Sequence, residues 1–521
     1  MVEYNDVAEE SIGARTARKG TIYVTSRLVA AGATFLLLIF LTRFMGPTEY
    51  GLYAIAAAFT NVLGMAGNFG LGTSVRKKIP ESKERKRFNE IGSNAYAIAI
   101  VGSLAITLIG IGISGYIAFH VYKNAELYLP IVVASVTIFL AVIYNLSNSV
   151  LVGADKVKQA AISNIAYSFV QLIAVVALVL LGYSILGALV GLAIGLGIGI
   201  ILTSIYIMNE TKFNFVRPSK KVIREILGFS LPVMISNVAY VGIANLAIDI
   251  LGIYVAPGVV GSFGAAYKLG RTFDVILVSS TFVLLPALSK AFADPELSKR
   301  ISEIYNESVF YLIMLSMPIL VFLITAAKYI THLLFSSAYQ LSGLYFAFIA
   351  IGITAQVISS FAGTLIISHG ETKRFMRYQL IGVGIEFILL LIFMAYLRAY
   401  GIILALFIIG PILINILYIA VLKREFKIHL NYSRLSRIFT AGIATWAIVT
   451  AINYYLRLGY AEIIIDLIAV LLIYPPIVVL AGIAKRENLV FIRKATGSIP
   501  LVGILVGAIV RYAEAVAKAT K

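Results

Sequence analysis

The chain contains no cysteine, one tryptophan and four histidines, His120, His332, His369 and His429, far apart in the sequence. The missing thiols exclude a disulfide scaffold and thiolate chemistry, and the histidines show no metal-ligand spacing, so no metal and no cofactor is expected. Charge is also scarce, at 13% of 521 residues. The longest break between apolar runs, residues 73 to 91, is too short to fold as a soluble catalytic domain. No G-x-x-x-x-G-K-[ST] phosphate loop occurs, which argues against ATP-driven pumping within this chain. Residues 1–19 are charged throughout and lack an apolar centre, so a cytoplasmic tail is expected there rather than a cleaved signal.

What is abundant is apolar length. Hydrophobic residues make up 60% of the chain, in repeated runs of about 20 residues, the number a helix needs to cross hydrocarbon. Strand-like alternation is absent, and only helices or closed barrels satisfy their backbone in lipid. The fold class expected is an all-α integral membrane protein of about 14 spans. These fall near 20–44, 50–72, 92–116, 128–152, 160–182, 184–208, 228–254, 260–289, 304–327, 341–367, 376–397, 400–422, 437–456 and 461–484. SIPLVGILVGAIV (498–510) is too short to count, and the segment after it suits an interfacial helix.

The net charge of +18 is arranged for a membrane and not for nucleic acid. With the N-terminus inside, Arg43, Lys123, Lys328, Arg398 and Arg457 fall outside, and Arg27, Lys268 and Arg271 fall within spans. The other 35 of the 43 Lys and Arg are cytoplasmic. That bias is the positive-inside pattern, so both termini are expected in the cytoplasm of a cell-membrane protein. The basic run RKKIPESKERKR (76–87) reads first as a topology determinant, with anionic lipid headgroups or a glycan-assembly protein as its other expected contacts.

The sequence also repeats. GPTEYGLYAIAAAF (46–59) aligns with APGVVGSFGAAYKL (256–269), setting Gly51 over Gly261 and Pro47 over Pro257 at an offset of 210. RFNEIGSN (87–94) aligns with RISEIYNE (300–307), and VGADKVK (152–158) with HGETKRF (369–375), in the same order. Six spans per repeat keep both halves in one orientation, as in transporters that work by alternating access between two lobes. The expected organisation is a tail (1–19), a first six-helix lobe (20–208), a linker (209–227), a second lobe (228–422), two further helices (437–484) and a basic tail (485–521).

The runs LTRFMGPTEYGLYAIAAAFTNVLGMAGNFGLGTSVRKKIPE (41–81), ILGFSLPVMISNVAYVGIANLAIDILGIYVAPGVVGSFGAAYKL (226–269) and LLPALSKAFAD (284–294) resemble the polysaccharide-export branch of the multidrug/oligosaccharidyl-lipid/polysaccharide flippase superfamily. The likeness covers residues 18 to 484. It implies fourteen helices and the movement of a lipid-linked oligosaccharide across the membrane without covalent change, so the chain is not expected to be an enzyme. The partners implied are the lipid-linked glycan, membrane lipids and Na⁺ or H⁺ as coupling ion.

Charges inside spans need a reason, because each costs roughly 2.5–3.5 kcal/mol near the bilayer centre. A pyrophosphate headgroup would supply one. Arg27, Lys268 and Arg271 are the candidate phosphate-binding residues, with snorkelling to the interface as the competing reading for Arg27 and Lys268. Asp249, Asp274 and Glu386 are candidates for ion coupling or for partnering those cations. Asp274 stands three residues after Arg271, on the same face. Asn61, Asn68, Asn237, Tyr240 and Asn245 are candidate polar lining of a cavity, with helix-to-helix bonding as the alternative. Asp466 lies outside the repeat and reads as structural. The interiors of spans 1–6 hold no carboxylate, which disfavours the first rival, a cation-coupled multidrug antiporter of the same fold. The second rival, a membrane glycosyltransferase or polysaccharide polymerase, would need a larger external loop.

Overall fold

The structure, a computed structural model, describes residues 12–82, 84–272, 288, 292, 299–484 and 502–519. Every regular element among them is a helix, as the long apolar runs require. Among the described residues ten helices are long and apolar enough to cross a membrane. Two compact units divide the chain, Met1–Gly261 and Ser262–Lys521.

The first unit opens with α1 (Ile12–Asn68), whose 57 residues would extend roughly 85 Å if straight, far more than the ~30 Å of a hydrocarbon core. The excess is resolved at Gly46, where φ of 69° and ψ of 175° break the helix, and Pro47 then begins the next segment without needing an N–H partner. Expected spans 1 and 2 are the two arms of this kinked element. After it come α2 (Leu71–Glu81), α3 (Arg85–Tyr116), α4 (Tyr128–Gly153), α5 (Val157–Leu178), α6 (Ser184–Thr211) and α7 (Lys220–Tyr254). A further helix, α8, covers residues 257–272, of which those after Gly261 belong to the second unit. The core of this unit gathers Leu71, Ile91, Tyr96, Leu146, Val150, Phe213 and Ile226. Large apolar side chains such as Leu36, Phe44, Val101, Leu108 and Ile173 stay exposed, as lipid-facing positions do.

The repeat-related glycines meet each other's elements. A Cβ on Gly51 would stand 1.8 Å from the Pro257 carbonyl oxygen, and one on Gly261 would stand 2.0 Å from the Pro47 carbonyl oxygen. Two backbones that touch so closely require glycine at both places. The Gly51 and Gly261 alignment therefore marks a reciprocal contact in the fold.

The second unit contains α9 (Ile301–Thr325), α10 (Ala327–Phe335), α11 (Ser342–Ala355), α12 (Val357–Ser368), α13 (Thr372–Leu397), α14 (Ala399–Ile403), α15 (Gly410–Glu425), α16 (Tyr432–Leu456), α17 (Glu462–Leu480) and α18 (Val502–Ala519). The run expected as one span over 341–367 is interrupted at Gln356. There Asn415 of α15 donates to the Ala355 carbonyl at 2.8 Å and accepts from the Ser359 amide at 3.1 Å, satisfying backbone groups that the break would orphan. The apolar stretch after residue 500 is a helix, and its Val510 and Ala513 join a core with Tyr305, Phe310, Leu365 and Tyr474.

Candidate functional site

In the first unit, Arg27 sits on the first arm of α1 with its side chain exposed. One turn earlier Tyr23 holds it, because the guanidinium donates to the tyrosine hydroxyl at 2.9 Å and lies 5.3 Å from the ring centroid. Among the described residues no carboxylate pairs with it. Close by, Tyr144 of α4 and Tyr167 of α5 pack with ring centroids 4.9 Å apart, and the Tyr144 hydroxyl donates to Asn164 at 3.4 Å. Asn164 in turn donates to the Ser26 carbonyl at 3.5 Å, joining this cluster to the turn that carries Arg27. Gly199 of α6 makes room, since a Cβ there would fall 2.7 Å from the Tyr144 ring. Arg27 is legible in sequence as a charge within an apolar run. Tyr144 and Tyr167 are not, because only the packing of α4, α5 and α6 brings them together.

Two of the candidate polar residues also meet in this unit. Asn61 on the second arm of α1 donates to Asn245 of α7 at 3.4 Å. One turn beyond, Asp249 is half-buried, and the Tyr122 hydroxyl lies 3.2 Å from its carbonyl and 3.5 Å from its carboxylate. Gly252 brings α7 close, as a Cβ there would stand 2.8 Å from Ile55 and 2.9 Å from the Tyr122 ring. Asn68 ends α1 just before the left-handed residues Phe69 and Gly70. Asn237 and Tyr240 fall within α7, but their side chains lie outside the described residues.

In the second unit Lys268 and Arg271 lie on α8 with exposed side chains. Asp274, the expected partner of Arg271, lies outside the described residues. Glu386 of α13 is 7% exposed and packs beside the start of α15, where a Cβ on Gly410 would come 3.1 Å from its Cγ. No hydrogen bond or ion pair reaches it among the described residues.

The basic run 76–87 does more than set topology. Lys78 bonds Glu225 of α7 at 2.7 Å, Arg87 also bonds Glu225, and Lys77 lies 4.5 Å from the Phe229 ring centroid. Lys78 first and Arg87 second hold the Glu225 carboxyl below the ordinary carboxylate range. The connection that follows α6 is strapped to α3, with the amides of Asn214, Val216 and Ser219 donating to Asn89, Ser93 and Asn94 at 3.2, 2.9 and 2.7 Å.

This all-helical membrane architecture is a fold shared with solved membrane transporters. The chain is similar to the lipid II flippase MurJ in an inward closed conformation, with a TM-score of 0.73 at 15% identity, covering 88% of this chain and 98% of that one. It is similar also to an inward-facing multidrug resistance MATE transporter (TM-score 0.63, 15% identity, 74% and 92% covered). A third likeness is to the MATE multidrug transporter DinF-BH in a ligand complex (TM-score 0.58, 16% identity, 82% and 98% covered). Among curated sequences no relative matches. Residues 16–292 match the family described as polysaccharide biosynthesis protein, and the chain belongs to that family.

Proposed function

We propose that the chain is a flippase for a lipid-linked oligosaccharide, carried on a polyprenyl phosphate or diphosphate, and that it works by alternating access for surface polysaccharide or glycoprotein assembly. It resides in the cell membrane with both termini cytoplasmic. The observation that carries this reading is Arg27: a guanidinium within an apolar run, held by a tyrosine, with no carboxylate paired to it among the described residues, in six expected spans whose interiors hold no acid. Such a half-site favours an anion and repels an organic cation. Membership of the polysaccharide biosynthesis family supports a glycan as cargo. Arg27, Lys268 and Arg271 would receive the phosphate groups, the lipid tail remaining in the bilayer. Asp249 or Glu386 would bind a coupling Na⁺ or H⁺, and Asn61 with Asn245 would meet sugar hydroxyls.

The test is leaflet exchange of a fluorescent polyprenyl-diphosphate oligosaccharide in liposomes with purified protein. Wild type should exchange the lipid, Arg27→Ala should lose at least tenfold in rate, and Arg27→Lys should recover part of it, since the ammonium restores charge without the bidentate fork. Export of organic cations with no lipid exchange would replace this reading with the drug antiporter. Release of labelled sugar would point to a glycosyltransferase.

A further inference from the structure

Lys212 after α6 and Lys427 after α15 are both left-handed, with φ of 48° and 55°, and each opens an irregular strap, KFNFVRPS (212–219) and KIHLN (427–431). Both straps run back along a helix of their own unit. In the first unit the Val216 amide donates to Ser93 of α3, and in the second the Asn431 amide donates to Asn306 of α9 at 3.1 Å. Asn306 is the residue that the aligned motifs RFNEIGSN and RISEIYNE set over Ser93. The same device is thus built twice, on different side chains.

The straps differ in what covers them. Ile428 and Leu430 are buried, Leu430 at 7% exposure, within a core that includes Leu435 and Ile438. In the first strap only Phe213 is buried, whereas Phe215 is 72% exposed and Val216 is exposed beside it. Phe215 is nonetheless fixed, edge-on to Phe213 with ring centroids 4.9 Å apart and 5.7 Å from the Tyr96 centroid. Around this apolar tip, residues 212–224 hold five basic side chains and no acidic one. The nearest carboxylates in sequence are engaged, Glu210 by Lys156 at 2.8 Å and Glu225 by Lys78 and Arg87. Lys212, Arg217, Lys220 and Lys221 are exposed, and among the described residues no ion pair reaches them.

The first strap also continues a lipid-facing surface. Ile201, Ile205 and Met208 of α6 are exposed on one face, and the same spacing leads to Lys212. An apolar stripe that ends in an aromatic ring and cations has the order of a membrane interface, hydrocarbon first and phosphate after it. We propose that the strap and the first residues of α7, 212–221, bind the headgroup of an anionic phospholipid in the leaflet where α6 ends. Lys212, Arg217, Lys220 and Lys221 hold the phosphate, while Phe215 and Val216 enter the top of the acyl layer. A lipid suits this surface better than an acidic protein, because one occupant then meets both the stripe of α6 and the cations beyond it. The site uses none of the residues assigned above to cargo or ion, and it stands whichever cargo the chain moves.

The experiment uses the purified full chain in detergent and tail-labelled fluorescent phosphatidylglycerol, with phosphatidylcholine as the neutral comparison. Wild type should bind phosphatidylglycerol at least about tenfold more tightly. Lys212→Gln, Arg217→Gln and Lys220→Gln together should remove most of that preference. Lys373→Gln, Lys423→Gln and Arg424→Gln together, which delete the same charge from exposed positions of the second unit, should keep it. Phe215→Ser should weaken binding about fivefold with every charge in place, and it carries the test should the first triple variant fail to fold. Glycerol phosphate at equal concentration should not displace the lipid, since it has no chain to lie against Phe215. Equal affinity of wild type for both lipids, an equal loss in both triple variants, or displacement by glycerol phosphate would each overturn the proposal. Binding of a polyglutamate peptide in place of phosphatidylglycerol would overturn it in favour of an acidic protein partner.

Discussion

At the scale of single residues, the decisive positions are those where a side chain, or its absence, is forced by what stands next to it. Gly51 and Gly261 show this most directly, because each faces a carbonyl oxygen within 2.0 Å of where a Cβ would be. Their alignment at a constant offset is visible in sequence, but not the reason both must be glycine. We expect Gly51→Ala to destabilise the detergent-solubilised protein by about 1–3 kcal/mol or more, seen as a lower Tm, because neither backbone can withdraw without moving a whole helix. Gly261→Ala should do the same, whereas Gly197→Ala, with nothing within 4 Å of the added methyl, should leave Tm unchanged. The charges behave differently. Arg27, Asp249 and Glu386 stand out in the chain by their cost in an apolar run, yet their neighbours Tyr23, Tyr122 and Gly410 are set by helix packing.

At the scale of elements, the segments that join helices carry more order than their polarity suggests. The basic run 76–87 is read from sequence as topology. In the fold, Glu225 draws Lys78 and Arg87 onto the start of α7, and three side chains of α3 hold the connection before it. The folded Glu225 carboxyl titrates below its unfolded value of about 4.3, so its contribution is fully present above that value and is lost as pH falls through the lowered one. With both partners partly exposed that contribution is small, below about 1 kcal/mol. Wild type should therefore lose slightly more stability than Glu225→Gln between pH 5 and about 3, and the difference should shrink in high salt, as thermal melts across that range would show. The interruption at Gln356 belongs to this scale too. Nothing in LYFAFIAIGITAQVISSFAGTLIIS (344–368) ends a helix, because the residue that stabilises the break is Asn415, more than forty residues away.

At the scale of the whole molecule, the wild-type chain is naturally free of cysteine, which makes its orientation directly measurable. The charge bias expects Lys123 outside and Lys220 inside. A membrane-impermeant maleimide should label Lys123→Cys in intact cells, and should label Lys220→Cys only after the membrane is opened. The reverse pattern would invert the orientation, and labelling of both from outside would show an even number of crossings between them, against the three expected. Orientation also decides from which side Arg27 would meet a headgroup.

The sequence by itself determined what depends on composition and on order along the chain. Apolar length and the lack of polar loops required a helical membrane protein, whereas the basic residues and the repeated Gly and Pro positions carry only expectations of its orientation and of two related halves. It also exposed Arg27, Asp249 and Glu386, since a charge in hydrocarbon is conspicuous wherever it stands. Only the tertiary structure decided what surrounds them. Tyr144 meets Tyr167, and Asn415 bridges a broken helix. The physical reason is that burial in lipid constrains each helix along its own length, whereas the balance of a buried polar group depends on which faces of separate helices are pressed together.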